Sequence, residues 1–127
     1  MAALDVLIID DNRLNVELAT EVLEVAGYAT RAAFDADDGI RLARERVPDV
    51  ILLDLRMPGK GGIEALRELR ADSRTAGVPL VALTAQAMQG DQDAAIAAGF
   101  DGYIAKPINT QAFPAQVSAF SKRRPAQ

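Results

Sequence analysis

The sequence predicts an α/β domain wound on both faces of a five-stranded parallel sheet. Two observations carry that expectation: short apolar runs alternate with stretches of helical periodicity, and the strongest runs are continuously apolar. Continuous hydrophobicity marks strands covered on both sides, as parallel strands are. A third observation is that the best runs end in polar residues.

The elements follow in order. Leu4–Ile9 reads as the first strand and ends in Asp10, Asp11 and Asn12. Asn12 is a good N-cap for a helix over Arg13–Ala26, which Gly27 would stop. Tyr28–Ala33 is a weaker strand, followed by a helix over Asp35–Arg46 closed by Pro48. Val50–Leu53 is the third strand and ends in Asp54; a helix spans Gly62–Arg70. Leu80–Leu83 is the fourth strand, ending in Thr84, with a helix over Ala87–Ala98 stopped by Gly99. Gly102–Ala105 runs into Lys106 and Pro107, and a last helix is expected over Asn109–Lys122. Pro114 lies too deep in that helix to be harmless, so either its first turn is irregular or it begins near Phe113. Periodicity does not give the strand order.

At 127 residues the chain fits one domain, expected over residues 1–122 with a short tail at 123–127. It has neither cysteine nor histidine, which excludes disulfides, an imidazole base and the usual zinc ligand sets. Catalysis would fall to carboxylates, hydroxyls, lysine, backbone and a hard cation. A net charge of -4 argues against nucleic acid as a partner. The one basic run, Lys122–Arg124, reads as the cationic end of a helix. No apolar stretch approaches a membrane span and no signal peptide opens the chain, so a cytoplasmic location and no membrane partner are expected.

In open α/β sheets ligands sit beyond the carboxyl ends of the strands. Asp10, Asp11, Asp54, Thr84 and Lys106 stand at those ends, and a parallel sheet brings them together. Taken singly, each has an ordinary explanation as a helix cap or solvated side chain; together at four strand ends they form a constellation. Three clustered carboxylates repel unless a cation intervenes, and oxygen ligands of this kind suit Mg²⁺. A carboxylate nucleophile, a hard cation, a hydroxyl and an ammonium are the parts of a phosphoryl-transfer site.

At these residues the sequence resembles the response-regulator receiver family over essentially its whole length. The matching pieces are Ile9–Asp10–Asp11–Asn12, Asp54–Leu55–Arg56–Met57–Pro58, Ala82–Leu83–Thr84–Ala85 and Lys106–Pro107. Their spacings of 44, 30 and 22 residues agree with the family. The resemblance implies a flavodoxin-like (CheY-like) fold with strand order 2-1-3-4-5. It implies that Asp54 is the phosphoacceptor, served by phosphohistidine of a histidine kinase or histidine phosphotransfer protein. Asp11, Asp54 and the backbone carbonyl of Arg56 would ligate Mg²⁺, with Asp10 acting mostly through metal-bound water. Lys106 would pair with the phosphoryl group, its bond to Pro107 being cis, and Thr84 would hydrogen-bond a phosphoryl oxygen. Tyr103 stands where the family has its switch aromatic, which would turn inward as Thr84 moves.

Residues 85–91, with Asp11, Asn12 and Asn15, resemble hybrid-kinase receivers and stand-alone, DivK-like receivers. Arg56 and Gln86 depart from the commoner pattern, and they are expected to set the lifetime of the acyl phosphate. The loop Gly59–Lys60–Gly61–Gly62 is richer in glycine than the family's usual loop and is expected to be mobile, without an acidic contribution.

The first helix carries two apolar sets: Leu14, Leu18, Val22 and Val25, and Val16, Ala19, Leu23 and Ala26. A broad buried face is the ordinary explanation; the resemblance favours a docking patch for the phosphodonor at Leu14, Asn15 and Leu18. No recognisable output module accompanies the domain, so it is expected to act on a downstream protein target around the fourth helix, Tyr103 and the fifth helix. A stand-alone regulator is the first expectation, monomeric or weakly dimeric, and a receiver separated from a hybrid sensor kinase the second. It is expected to be no enzyme beyond its own phosphorylation and dephosphorylation. A Mg²⁺-dependent phosphoaspartyl hydrolase would share the site, but Arg56 stands where such enzymes place an acid. A flavin-binding flavodoxin is weaker, because the first strand leads into acids rather than a phosphate-cradling loop.

Overall fold

The computed structural model describes residues 4–85 and 89–121, with the side chains of 85 and 89–92 left aside. Five parallel strands, β1 (Asp5–Ile9), β2 (Ala29–Ala33), β3 (Val50–Asp54), β4 (Leu80–Ala85) and β5 (Gly102–Lys106), stand in the order β2-β1-β3-β4-β5. Five helices connect or follow them: α1 (Arg13–Val25), α2 (Ala36–Glu45), α3 (Gly62–Ala71), α4 (Gln89–Ala98) and α5 (Phe113–Ser121). The doubly wound architecture and the implied strand order both hold. Gln86, the expected helix start at Ala87, and the tail from Lys122 onward, with its basic run, lie outside the described residues.

Strand registers explain the continuous apolar runs. Leu7 and Ile9 of β1 face one side with Ile51, Leu53, Leu80 and Ala82, where α2, α3 and α4 close the core. Val6 and Ile8 face the other with Leu52, Val81, Leu83 and Ile104, where α1 and α5 lie. Strands β1, β3 and β4 therefore bury both of their faces, leaving no position for an alternating polar residue, while the edge strands β2 and β5 keep exposed positions.

Helix α1 buries one stripe only. Val16, Ala19 and Leu23 are buried, while Leu14 and Val25 are 76% and 86% exposed. The broad buried face is thus not found: Leu14, Leu18 and Val25 look outward, while Val22 packs at the edge of the core. Asn12 caps α1 by accepting from the Asn15 N–H, and Gly27 follows at φ 95°.

Helix α5 resolves the difficulty of Pro114. Asn109 does not open the helix; its side chain and carbonyl hold a separate turn, accepting N–H bonds from Gln111, Ala112 and Phe113. The helix begins at Phe113, which places Pro114 in the first turn, where a missing N–H costs nothing. The Pro114 carbonyl accepts the Tyr28 hydroxyl at 3.0 Å.

Candidate functional site

Four chain segments deliver the site to one edge of the sheet. Asp10 follows β1, and its N–H still bonds to Ala33 of β2 at 3.1 Å, so the backbone remains in the sheet and the side chain is buried. Its Oδ1 accepts the Asn12 N–H at 3.0 Å, which folds the chain into α1 and leaves Asp11 exposed. Asp54 closes β3 opposite Leu83 of β4; its Oδ1 accepts the Arg56 N–H at 3.1 Å. Lys106 closes β5, and its Nζ lies 3.3 Å from both Asp10 Oδ2 and Asp54 Oδ2. The Lys106–Pro107 bond is cis, as the resemblance implies.

Carboxylate oxygens of Asp10, Asp11 and Asp54 all lie within 4.8 Å of one another. One ammonium stands against three acids. Burial raises the Asp54 carboxyl, the Arg56 N–H lowers it, Asp10 raises it and Lys106 lowers it; the balance is about 6. A hard divalent ion fits this donor set: the oxygens have the right chemistry and spacing, and two of the carboxylates are buried and share the Lys106 ammonium.

Thr84, in β4, is buried, and its hydroxyl makes no hydrogen bond among the described residues. A buried hydroxyl in that state is unusual, because desolvation is uncompensated. Tyr103 lies on the same face of the sheet, in register with Ala82, and is 39% exposed. Leu14, Asn15 and Leu18 lie on α1 beside this edge. Asn15 and Leu18 join Asp10, Lys106, Pro107, Ile108 and Phe113 around an apolar hollow of about 30 Å³.

Sequence reasoning missed two features near the site. Arg13 stacks over the Phe34 ring at 4.3 Å, joining the loop after β1 to the loop after β2. Lys60 pairs with Asp37 of α2 at 2.7 Å and with Glu68 of α3, so the glycine-rich loop is tethered by its one long side chain. No local spacing announces either pair; an unpaired cation in a glycine loop was the available hint. Gly62 is required on steric grounds, since a Cβ there would lie 2.5 Å from the Asp54 carbonyl oxygen.

Residues 6–118 match the response regulator receiver domain. The chain belongs to the response regulator receiver family. The polar-differentiation response regulator DivK of Brucella anthropi is 35% identical to this receiver over 115 residues, 91% of this chain and 94% of DivK. A response regulator of Chloroflexus aurantiacus superposes with a TM-score of 0.90 at 29% identity, covering 95% of this receiver and 99% of that chain. The receiver domain of a Pseudomonas aeruginosa sensor histidine kinase, solved with magnesium in its active-site cleft, gives 0.86 at 32% identity, covering 95% and 99%.

Proposed function

We propose that this receiver accepts a phosphoryl group on Asp54 from phosphohistidine, with Mg²⁺ held by Asp10, Asp11, Asp54 and the Arg56 carbonyl. The observation that carries the reading is Lys106: one ammonium 3.3 Å from each of two buried carboxylates, in a cluster with a third. Mg²⁺, when bound, supplies the positive charge that lets an anion approach three acids.

The residues divide the remaining work. Asp54 is the nucleophile: an oxygen of its carboxylate forms a bond to phosphorus while the phosphorus–nitrogen bond breaks and the imidazole leaves. The Arg56 N–H, on Oδ1, fixes the orientation of the carboxylate. Lys106 pairs with the phosphoryl oxygens as they arrive. Thr84 has a hydroxyl with no partner among the described residues, which supports a role as donor to a phosphoryl oxygen. Its movement toward Asp54 makes room for the half-exposed Tyr103 ring, and the surface around α4 and α5 changes for a downstream protein.

Leu14, Asn15 and Leu18 supply the docking patch for the histidine kinase or phosphotransfer protein; the exposure of Leu14 and the hollow beside Lys106 support it. The reading as a stand-alone regulator draws on the overlap with 94% of DivK. The same reading has the receiver in the cytoplasm, catalysing only its own phosphorylation and dephosphorylation; no described helix is long and apolar enough to cross a membrane. The test is intact-mass spectrometry after acetyl phosphate and Mg²⁺. One added phosphoryl group on wild type, absent from Asp54→Asn and without Mg²⁺, is expected; labelling of Asp54→Asn ends the proposal.

A further inference from the structure

Between β3 and α3 the backbone at Arg56 bonds back to Asp54, and Met57 is buried in the core. Beyond Pro58 the loop is held by backbone bonds and hardly by side chains: Gly59 adopts φ 75° with open space around it, the Gly61 N–H donates to Glu64 Oε1 at 3.1 Å and the Gly62 N–H donates to the Leu55 carbonyl at 3.1 Å. Lys60 is the exception. Its ammonium reaches Asp37 in the first turn of α2 and Glu68 in the second turn of α3, and its side chain is 27% exposed. Both carboxylates hold the ammonium above its ordinary pKa, so it remains charged throughout the neutral range.

We propose that Lys60 is a positioning residue for the divalent cation: its ion triad fastens the β3–α3 loop so that Arg56 presents its backbone to the acidic cluster. The inference rests on the Mg²⁺ reading of Asp10, Asp11 and Asp54 given above. Two physical effects oppose each other here, and their signs differ. A lysine near an acidic site lowers cation affinity through its charge, so removing it should tighten binding. A lysine that holds the loop raises affinity through geometry, so removing it should weaken binding, as loss of outer supports does at metal sites. The Lys60, Asp37 and Glu68 side chains are all partly exposed to solvent, where salt screens their charges, which mutes the first effect and leaves the second in command.

The experiment is calorimetric titration of Mg²⁺ into unphosphorylated wild type, Lys60→Met and Lys60→Arg, with a thermal melt of each without Mg²⁺. Surface pairs are weak, so the melts should agree closely. Lys60→Met is expected to bind about three- to tenfold more weakly, and Lys60→Arg to return near wild type. Acetyl phosphate labelling should need correspondingly more Mg²⁺ in Lys60→Met yet reach the same plateau at saturation. Equal or tighter binding by Lys60→Met overturns the proposal, as does an arginine variant as weak as the methionine one. If Lys60→Met does not fold, Lys60→Gln, which also removes the charge and the ion pairs, takes its place: affinity equal to or tighter than wild type there is equally fatal. Wild type that takes up no Mg²⁺ would instead overturn the metal site itself, a result distinct from the others.

Discussion

The two ends of the sheet treat charge in opposite ways. At the amino end Asp5 Oδ2 lies 3.1 Å from Arg31 and 3.3 Å from Arg46, while the Asp5 N–H bonds to Asp49 at 2.8 Å. Arg31 also donates to the Leu42 and Arg46 carbonyls, so one acid meets two arginines and α2 is stitched to the strands. At the carboxyl end three carboxylates share one lysine. Both ends leave buried polar atoms without a hydrogen bond among the described residues, Asp5 Oδ1 and Arg31 Nε at one and the Thr84 hydroxyl at the other, so the ends differ in net charge. The difference teaches where work is done. The paired end holds the fold, and the other end keeps more negative charge than its one ammonium offsets.

The comparison breaks first at Asp54. Asp54→Asn should abolish labelling while raising the melting temperature of the Mg²⁺-free protein, because a repelled carboxylate is removed; a lower melting temperature would contradict the imbalance. At the other end, Arg31→Met leaves a largely buried Asp5 with Arg46 alone and should destabilise by about 2 kcal/mol in urea unfolding, with labelling by acetyl phosphate unchanged. Equal effects on labelling would erase the division between the two ends.

pH sharpens the contrast. Asp54 stands at about 6 in the fold against 3.8 when unfolded. Between those values the folded protein binds more protons than the unfolded chain, so the group's contribution is full below about 4 and lost as pH rises through about 6. Mg²⁺-free wild type should therefore lose on the order of 2 kcal/mol relative to Asp54→Asn across that window. Parallel stability profiles for the two proteins would refute it. The smallest effect is at Thr84: replacing an unpaired buried hydroxyl with a methyl, Thr84→Val, should stabilise by about 1 kcal/mol in the same assay. A loss of stability would mean the hydroxyl has a structural partner.

Much of this was legible in the sequence for one physical reason. A parallel strand buried on both faces must be apolar throughout, so Asp10, Asp54, Thr84 and Lys106 stand out at the ends of such runs. Strand β2 was the weak case, because an edge strand reading ATRAA has little to distinguish Arg31 from a solvated residue. Its pairing with Asp5 is set by the register of β1 and β2, which no local pattern contains. Helix α1 offered two apolar stripes of similar quality, and only the packing of α1 and α5 on the sheet chose between them. The start of α5 was settled by the turn at Asn109, a local competitor to the helix that Pro114 hinted at without fixing.

The sheet also divides the interior into two compartments that share no side chains, one under α2, α3 and α4 and one under α1 and α5. Leu69→Ala in the first and Leu23→Ala in the second should each be costly, and their losses should sum to within about half a kcal/mol. Either compartment can therefore be repacked while the packing on the other side of the sheet stays as it is.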